Sequence, residues 1–251
     1  DYGLLYISAS PSQGQSLDEV RKLIVNEIDN LKKGNFDDDL LPSIINNFKK
    51  DAIQEAETYG GRANLLMQAF TGKIDWRDQV AYVNDLQKIT KADVVAFANK
   101  YLGDNYVAVY KKKGERTNVE KIEKPAITPV ETNADKQSAF VKMINDMPST
   151  PVEPLFLDYN KDIQKSKLGK AEVLAVQNKD NDLFRLSFRY KIGTFNDLKM
   201  GLAAQYIQFL GTDKKSAEQI SKEFYKIASS FRVSTGEDYT YVNIEGLQEN
   251  F

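Results

Sequence analysis

The side chains of this sequence that could do chemistry are carboxylates, amides, hydroxyls and guanidinium groups. No histidine and no cysteine occurs among the 251 residues. Histidine is the commonest general base near neutral pH and the commonest zinc ligand, and cysteine supplies thiolate nucleophiles and disulfides. The composition therefore excludes Ser-His-Asp and Cys-His catalysis. It leaves oxygen ligands, which suit Ca²⁺ or Mg²⁺ better than Zn²⁺.

The densest group of acids is the run Asp37, Asp38 and Asp39. Aspartate at a helix start binds free backbone N–H groups and favours the positive end of the helix dipole, so capping of the following helix is the favoured interpretation. A calcium site is the alternative. The run lacks the alternating oxygen ligands and the glycine of a calcium-binding loop.

The basic residues give no sign of a polyanionic partner. The formal net charge is -2, with 34 basic and 36 acidic residues, so no overall field favours nucleic acid or an anionic membrane. No apolar run approaches the ~20 residues of a membrane span. For Arg62, Arg185 and Arg189 an ordinary solvated surface role is the favoured interpretation, and contact with a peptide carboxylate is the alternative.

The elements that must position these groups are predicted from periodicity and caps. Residues 2–8 and 105–113 alternate as strands do. Helical runs lie between them, so the first hundred or so residues predict helices packed on a sheet. Three pairs have the spacing of capping boxes at helix starts: Ser16 with Glu19, Thr90 with Asp93, and Ser216 with Gln219.

The remainder of the chain predicts a linker and a second structured block. Five of the seven prolines fall within residues 114–169, and proline removes the N–H donors that sheets and helices need. Two apolar runs then flank a turn at residues 178–182. Residues 231–247 form two β-rich runs around Thr235, Gly236 and Glu237, which predicts a hairpin or a bent strand pair. The predicted fold class is α+β, with two incomplete domains of helices layered on a mostly antiparallel sheet and a proline-rich linker between them.

Seven pieces occur in an order that resembles one peptidase family. Three of them lie in the first block, residues 1–113: "LLYISASPSQGQSLDEV", "WRDQVAYVNDLQKITKADVVAFANKYL" and "NYVAVYKKKG". Four lie in the second block, residues 170–251: "LSFRYKIGTFND", "MGLAAQYIQFLGT", "SAEQISKEFYKI" and "FRVSTGEDYTYVNIEGL". The second block resembles the start of the catalytic-type domain of the insulinase/pitrilysin family of zinc peptidases, and the first block resembles the end of its companion domain. Together they cover nearly all of the chain outside the proline-rich linker.

The resemblance implies an internal segment of a longer protein. Members of this family are commonly built from two homologous halves, each with two α+β domains, which close like a clamshell over a peptide. The implied order is residues 1–113 as the end of the first companion domain, 114–169 as the linker, and 170–251 as the start of the second catalytic-type domain. The first catalytic-type domain would then precede Asp1, and the last domain would follow Phe251.

The resemblance also shows where a metal site would lie. The family motif is His-x-x-Glu-His on one helix, in which two imidazoles at positions i and i+4 bind zinc and the glutamate takes a proton from metal-bound water. Aligned on Gly201, the motif positions hold Ala204, Ile207 and Gln208. Aligned instead on the glycine and threonine at 211–212, they hold Leu202, Gln205 and Tyr206. Neither alignment contains a zinc ligand, so we expect no catalytic residue, no metal ligand and no cofactor in this segment.

Three functional hypotheses follow. The first is a non-catalytic portion of a two-half zinc metalloendopeptidase, which forms chamber wall and peptide-binding surface while the zinc site lies upstream of this segment in the parent chain. Its partners would be a peptide or unfolded polypeptide substrate and the remainder of its own chain. The second is a non-catalytic scaffold or partner subunit of the same fold, and the third is an unrelated α+β binding module, in which residues 201–212 are ordinary core packing. A bacterial periplasm is compatible with the first hypothesis, and the sequence leaves the compartment open.

Overall fold

Reciprocal capping boxes define where three of the helices begin. At Ser16, the hydroxyl accepts a hydrogen bond from the N–H of Glu19, and the Glu19 carboxylate accepts one from the N–H of Ser16 at 2.7 Å. Thr90 with Asp93 and Ser216 with Gln219 form the same reciprocal pair. Each pair satisfies two N–H groups that a helix start leaves without intrahelical partners. All three predicted capping boxes are confirmed.

The structure is a computed structural model that describes residues 3–114 and 123–251. Within these residues the chain has an α+β fold. The helices are α1 (Leu17–Lys33), α2 (Leu40–Glu57), α3 (Tyr59–Gly72), α4 (Trp76–Leu86), α5 (Lys91–Tyr101), α6 (Ala139–Asn145), α7 (Met200–Tyr206) and α8 (Ala217–Lys226). The strands are β1 (Gln164–Leu168), β2 (Ala171–Ala175), β3 (Leu183–Tyr190), β4 (Ser230–Thr235) and β5 (Thr240–Leu247).

The two strands predicted at the edges of the first segment do not form. Tyr2 lies outside the described residues, but residues 3–8 and 105–112 have no strand pairing. Leu4, Val107 and Val109 remain between 88% and 89% exposed. A strand is stable only when a neighbour satisfies its backbone groups and covers one face, and no such neighbour exists for these segments within the described part. The described part of the first segment is therefore helical, and its predicted sheet was wrong.

The acidic run before α2 forms ion pairs rather than a cap. Asp39 occupies the N-cap position of α2 without a side-chain hydrogen bond to the helix. Asp38 instead accepts a hydrogen bond from Lys91 at 2.7 Å, and this bond lowers the pKa of the Asp38 carboxyl below its ordinary value. Asp39 pairs with Lys226 of α8 at 2.5 Å. The capping interpretation is therefore wrong, because two lysines distant in sequence reach these carboxylates.

The larger sheet has the strand order β3-β5-β4, and both pairings are antiparallel. Strands β4 and β5 form the predicted hairpin, closed by a hydrogen bond from the N–H of Gly236 to the carbonyl of Tyr239. Because side chains alternate between faces, the even-numbered residues of β3 share one apolar face with the even-numbered residues of β5. The odd-numbered residues, which include Arg185 and Glu245, form the opposite, more polar face.

Helix α2 joins the helical segment to this sheet. Leu183, Ala228 and Leu247 form a cluster with at most 2% exposure, and Ile53 of α2 packs against it. Leu183 and Leu247 are cross-strand neighbours at one end of the β3 and β5 pair. Burial of apolar side chains contributes about 1.5 to 3 kcal/mol each, so this small cluster is the main apolar contact between α2 and the sheet.

The chain divides into two compact units, Asp1–Ala108 with Asn178–Phe251, and Val109–Gln177. The first contains helices from the first predicted segment and the sheet from the third. The second contains α6, capped by Ser138, and the hairpin of β1 and β2. Gly169 in the turn of this hairpin has a φ of 62°, a conformation that glycine adopts without strain.

The capping box at α8 gives a direct test of the helix assignments. We expect Ser216→Ala to lower the free energy of unfolding by about 1 kcal/mol, because the N–H of Gln219 loses its acceptor. Urea unfolding followed by circular dichroism measures this. Ser221→Ala, the same substitution in the interior of α8, is the control and should be neutral or slightly stabilising. Equal effects of both variants would contradict the assignment.

Candidate functional site

The segment between β3 and α8 contains the residues that the resemblance aligns with a zinc motif. Helix α7 ends at Tyr206, and the chain continues as a 3-10 helix over Ile207–Phe209. Ala204 therefore lies in the last turn of α7, whereas Ile207 and Gln208 lie in the 3-10 helix. Gln208 uses its side-chain amide locally, donating to the carbonyl of Gln205 at 3.0 Å.

The change of winding also disturbs the spacing that a metal site needs. In an α-helix, residues i and i+4 differ by about 40° around the axis, but at three residues per turn the difference rises to about 120°. Part of this rotation falls between Ala204 and Gln208, so the two positions lie farther apart around the axis than in a regular α-helix. In the other alignment, Leu202 and Tyr206 both lie on α7 and are 71% and 58% exposed. No group of three or more His, Cys, Asp or Glu side chains in residues 3–114 and 123–251 is placed to hold a metal.

Core packing does not account for the apolar side chains of this segment. Leu202, Ile207, Phe209 and Leu210 are all at least 42% exposed. Helix α7 packs beside β4 in the first unit, but these four side chains remain largely accessible to solvent. The segment therefore displays apolar groups at a place where the alternative of an ordinary core helix predicts burial.

Two glycines fix the approach to this segment. A Cβ atom on Gly193 would lie 2.2 Å from the carbonyl oxygen of Glu237, and one on Gly211 would lie 2.4 Å from the carbonyl oxygen of Lys215. Each glycine thus permits a close backbone contact. Beside Gly193, the N–H groups of Thr194 and Phe195 donate to the turn between β4 and β5. The glycines and these hydrogen bonds attach both ends of the 193–215 region to the sheet and to the start of α8.

Strand β3 presents a free edge next to this region. Its inner edge pairs with β5 along all eight residues, and no strand of the described residues pairs with its outer edge. At one end, Asn181 accepts a hydrogen bond from the N–H of Leu183, and Asn178 donates to the carbonyl of Leu183. Farther along, Phe188 and Tyr190 are 42% and 53% exposed on the apolar face. An edge of this kind is able to bind an extended peptide by main-chain hydrogen bonds.

A network of charged and amide groups holds α2 against the polar face of the sheet. Arg185 of β3 donates to Glu57 at 2.6 Å, and Asn181 donates to the other carboxylate oxygen of Glu57 at 2.8 Å. Gln54 donates to Glu245 of β5 at 3.1 Å. The hydrogen bond from Arg185, followed by that from Asn181, holds the pKa of Glu57 below its ordinary value, and the same contact raises the pKa of Arg185.

The three arginines proposed to contact a peptide carboxylate have different surroundings. Arg185 forms ion pairs with Glu57 at 2.6 Å and with Glu245 at 3.8 Å, so two carboxylates of the protein neutralise its charge. Arg189 lies over the ring of Tyr239 at 5.0 Å. Arg62 lies over the ring of Tyr59 at 4.8 Å and lines a cleft of about 1020 Å³. The structure therefore places these arginines at separate positions rather than in one site.

The cleft and the Glu57 network were both missed by sequence reasoning. The cleft lies between α2, α3, α4 and the turn at residues 178–182. Glu57 and Arg185 are 128 positions apart, and no local pattern pairs two such residues. The one usable signal was the turn itself, because Asn178 and Asn181 are typical turn residues whose side chains bind nearby backbone groups.

Comparisons with known proteins leave the interpretation to the residues themselves. No model of a known protein family matches the chain, and no curated protein matches it significantly. Within the described residues, no helix is long and apolar enough to cross a bilayer.

The Glu57 network predicts a pH dependence of stability. The folded-state pKa of Glu57 is lowered, so its stabilising contribution is present above its unfolded pKa of about 4.3 and is lost as the pH falls through the folded pKa. We expect Glu57→Gln to cost about 1 kcal/mol at pH 7, after allowance for solvent screening of the exposed Arg185. Below about pH 4 the difference from the wild type should shrink.

Urea unfolding between pH 3.5 and 7 measures the effect. Glu55→Gln, on the same helix with an exposed side chain, is the matched control and should follow the wild type throughout. A difference between Glu57→Gln and the wild type that stays constant with pH would contradict the ion pair as the cause.

Proposed function

We propose that the chain is a non-catalytic portion of a two-half zinc metalloendopeptidase of the insulinase/pitrilysin type, in which it forms chamber wall and peptide-binding surface. In this proposal, zinc and the catalytic residues belong to another part of the parent protein. The residues described here bind and orient the polypeptide. They do not activate water.

The observation that carries the proposal is an order of helices and strands that matches the resemblance, combined with the lack of zinc ligands at the motif positions. Strand β3 is followed by α7, α8 and the hairpin of β4 and β5, which is the order that the resemblance implies for the start of a catalytic-type domain. The helix between β3 and α8 carries Ala204, Ile207 and Gln208 where the family has its zinc ligands. An alanine and an isoleucine offer no donor atom, and an amide is a poor zinc ligand.

The free edge of β3 supports a role in peptide binding. Eight residues at about 3.4 Å each give an edge of roughly 27 Å. This length accommodates an extended peptide of comparable size. The two faces of β3 differ, since Phe188 and Tyr190 are exposed on one face and Arg189 is exposed on the other. Alternate side chains of a bound peptide would therefore meet different contacts.

The contacts of α2 support a role as a wall. A surface that orients a substrate must keep its own geometry. Ile53, Gln54 and Glu57 attach α2 to the sheet by one apolar contact and two polar ones. Lys49 adds an ion pair with Glu249, beyond the end of β5, at 3.0 Å.

The proposal predicts that the 251-residue chain neither holds zinc nor hydrolyses peptides. We expect zinc, measured by plasma mass spectrometry after purification, to be far below one equivalent per chain. We also expect cleavage of a quenched fluorescent peptide to equal the buffer rate with and without added zinc. Zinc-dependent peptide hydrolysis that copurifies with the chain would contradict the proposal.

The same chain should bind extended peptides through main-chain hydrogen bonds. We expect a fluorescein-labelled peptide of eight residues with alternating valine and threonine to bind with measurable fluorescence anisotropy. The same peptide N-methylated at alternate residues, on the side that faces the edge, should bind at least tenfold more weakly, because it cannot donate to β3.

Methylation of the other set of alternate N–H groups is the control, since these groups point away from the edge. Equal binding of the two methylated peptides and the parent would contradict edge pairing. A His-x-x-Glu-His motif elsewhere in the parent protein distinguishes the peptidase from a non-catalytic scaffold of the same fold.

A further inference from the structure

The cleft beside α2 is a concave surface that is separate from the edge of β3. Its volume of about 1020 Å³ lies just above the range of roughly 300 to 1,000 Å³ that is typical of ligand sites. Apolar side chains of α2 and α4 line part of it, and three side-chain amides contribute hydrogen-bonding groups. The apolar members are Ala52, Ile53, Ala56 and Val83, and the amides are Asn84, Gln87 and Asn181.

Two of the four charged residues that line the cleft are already neutralised. Lys49 pairs with Glu249 at 3.0 Å, and Glu57 pairs with Arg185 at 2.6 Å. Arg62 and Asp180 also line the cleft, and neither forms an ion pair with another described residue. The cleft therefore offers one available cation and one available anion.

The position of Arg62 leaves its donors accessible. The central carbon of its guanidinium lies over the ring of Tyr59, 4.8 Å from the ring centroid, and the residue is exposed. The N–H donors of a guanidinium lie in its plane, and two of them match the two oxygens of a carboxylate. Stacking on Tyr59 also limits the side-chain freedom that binding would otherwise have to remove.

The charge balance favours a single carboxylate over a more highly charged anion. Asp180 adds an unpaired negative charge to the lining of the cleft, and it would repel a phosphate dianion more strongly than a monoanion. The apolar part, with Ile53 and Val83, favours an aliphatic side chain next to the carboxylate.

We infer that this cleft binds a peptide carboxylate through Arg62, with an adjacent aliphatic side chain against Ile53 and Val83. The carboxylate comes from a chain end or from an acidic side chain. The inference deepens the proposed function, on which the choice of a peptide as ligand rests. It assigns to Arg62 a recognition role that differs from the main-chain pairing at β3.

The test compares three fluorescein-labelled probes on the 251-residue chain by fluorescence anisotropy. The first is Gly-Gly-Ser-Ala-Leu with a free carboxyl end, the second is its carboxamide, and the third is the carboxamide of Gly-Gly-Ser-Glu-Leu. We expect the free acid to bind roughly tenfold more tightly than its amide, the scale of one charge-assisted hydrogen-bonded pair. Tight binding of the third probe would identify a side-chain carboxylate as an accepted source.

Variants connect the effect to the residue. Arg62→Gln should remove the advantage of the free acid, and Arg62→Lys should keep only part of it, because lysine lacks the planar fork. Asp180→Asn should strengthen binding of the free acid roughly threefold by removing a like charge. Arg77→Gln, an exposed arginine that pairs with Asp75 outside the cleft, is the matched control and should bind as the wild type does.

Each outcome separates the inference from the proposed function. Equal binding of all three probes, or an unchanged advantage of the carboxylate probes in Arg62→Gln, would overturn the inference while peptide binding itself stands. If none of the three probes nor the longer alternating peptide binds, both the inference and the proposed function fail. If only the longer peptide binds, the cleft inference fails and the edge of β3 remains the binding surface.

Discussion

The contact between α2 and one end of the β3 and β5 pair is the constraint on which the first unit depends. Ile53 reaches the cluster of Leu183 and Leu247, and Glu57 reaches Arg185 beside it. These contacts bring together residues more than 120 positions apart. They place the cleft wall of α2 next to the turn at residues 178–182. Without them, the sheet and the helical segment would have no shared core, because few other side chains of the unit are fully buried.

Local signals in the sequence predicted the features that depend on neighbouring residues. The capping boxes at Ser16, Thr90 and Ser216 and the hairpin around Gly236 form as predicted, because each requires only backbone and side-chain groups within a few positions. Features that depend on distant partners were not predictable in this way. Residues 105–112 alternate like a strand but have no partner strand among residues 3–114 and 123–251, and alternation alone cannot supply one.

In the candidate site, some features follow from the composition of the sequence and others only from the folded geometry. The absence of imidazole from positions 204–208 follows from the composition, and it excludes the zinc chemistry of the family motif there whatever the fold. The winding of this segment does not follow from composition: the α-helix gives way to a 3-10 helix at Ile207. Likewise, three arginines were equivalent candidates in the sequence. Only their neighbours, Glu57 at Arg185 and aromatic rings at Arg62 and Arg189, distinguish them.

The unpaired side of β3 has a consequence for the behaviour of the protein in solution. The backbone N–H and C=O groups of an edge strand can hydrogen-bond with any extended chain. The edge of β3 that binds a peptide is therefore equally able to pair with β3 of a second molecule. The known safeguards of such strands are charges and bulges, and on β3 only Arg185 and Arg189 are charged, the first of them tied to Glu57. Peptide affinity and a tendency to self-associate are therefore two results of one structural property, and raising the protein concentration would set them in competition.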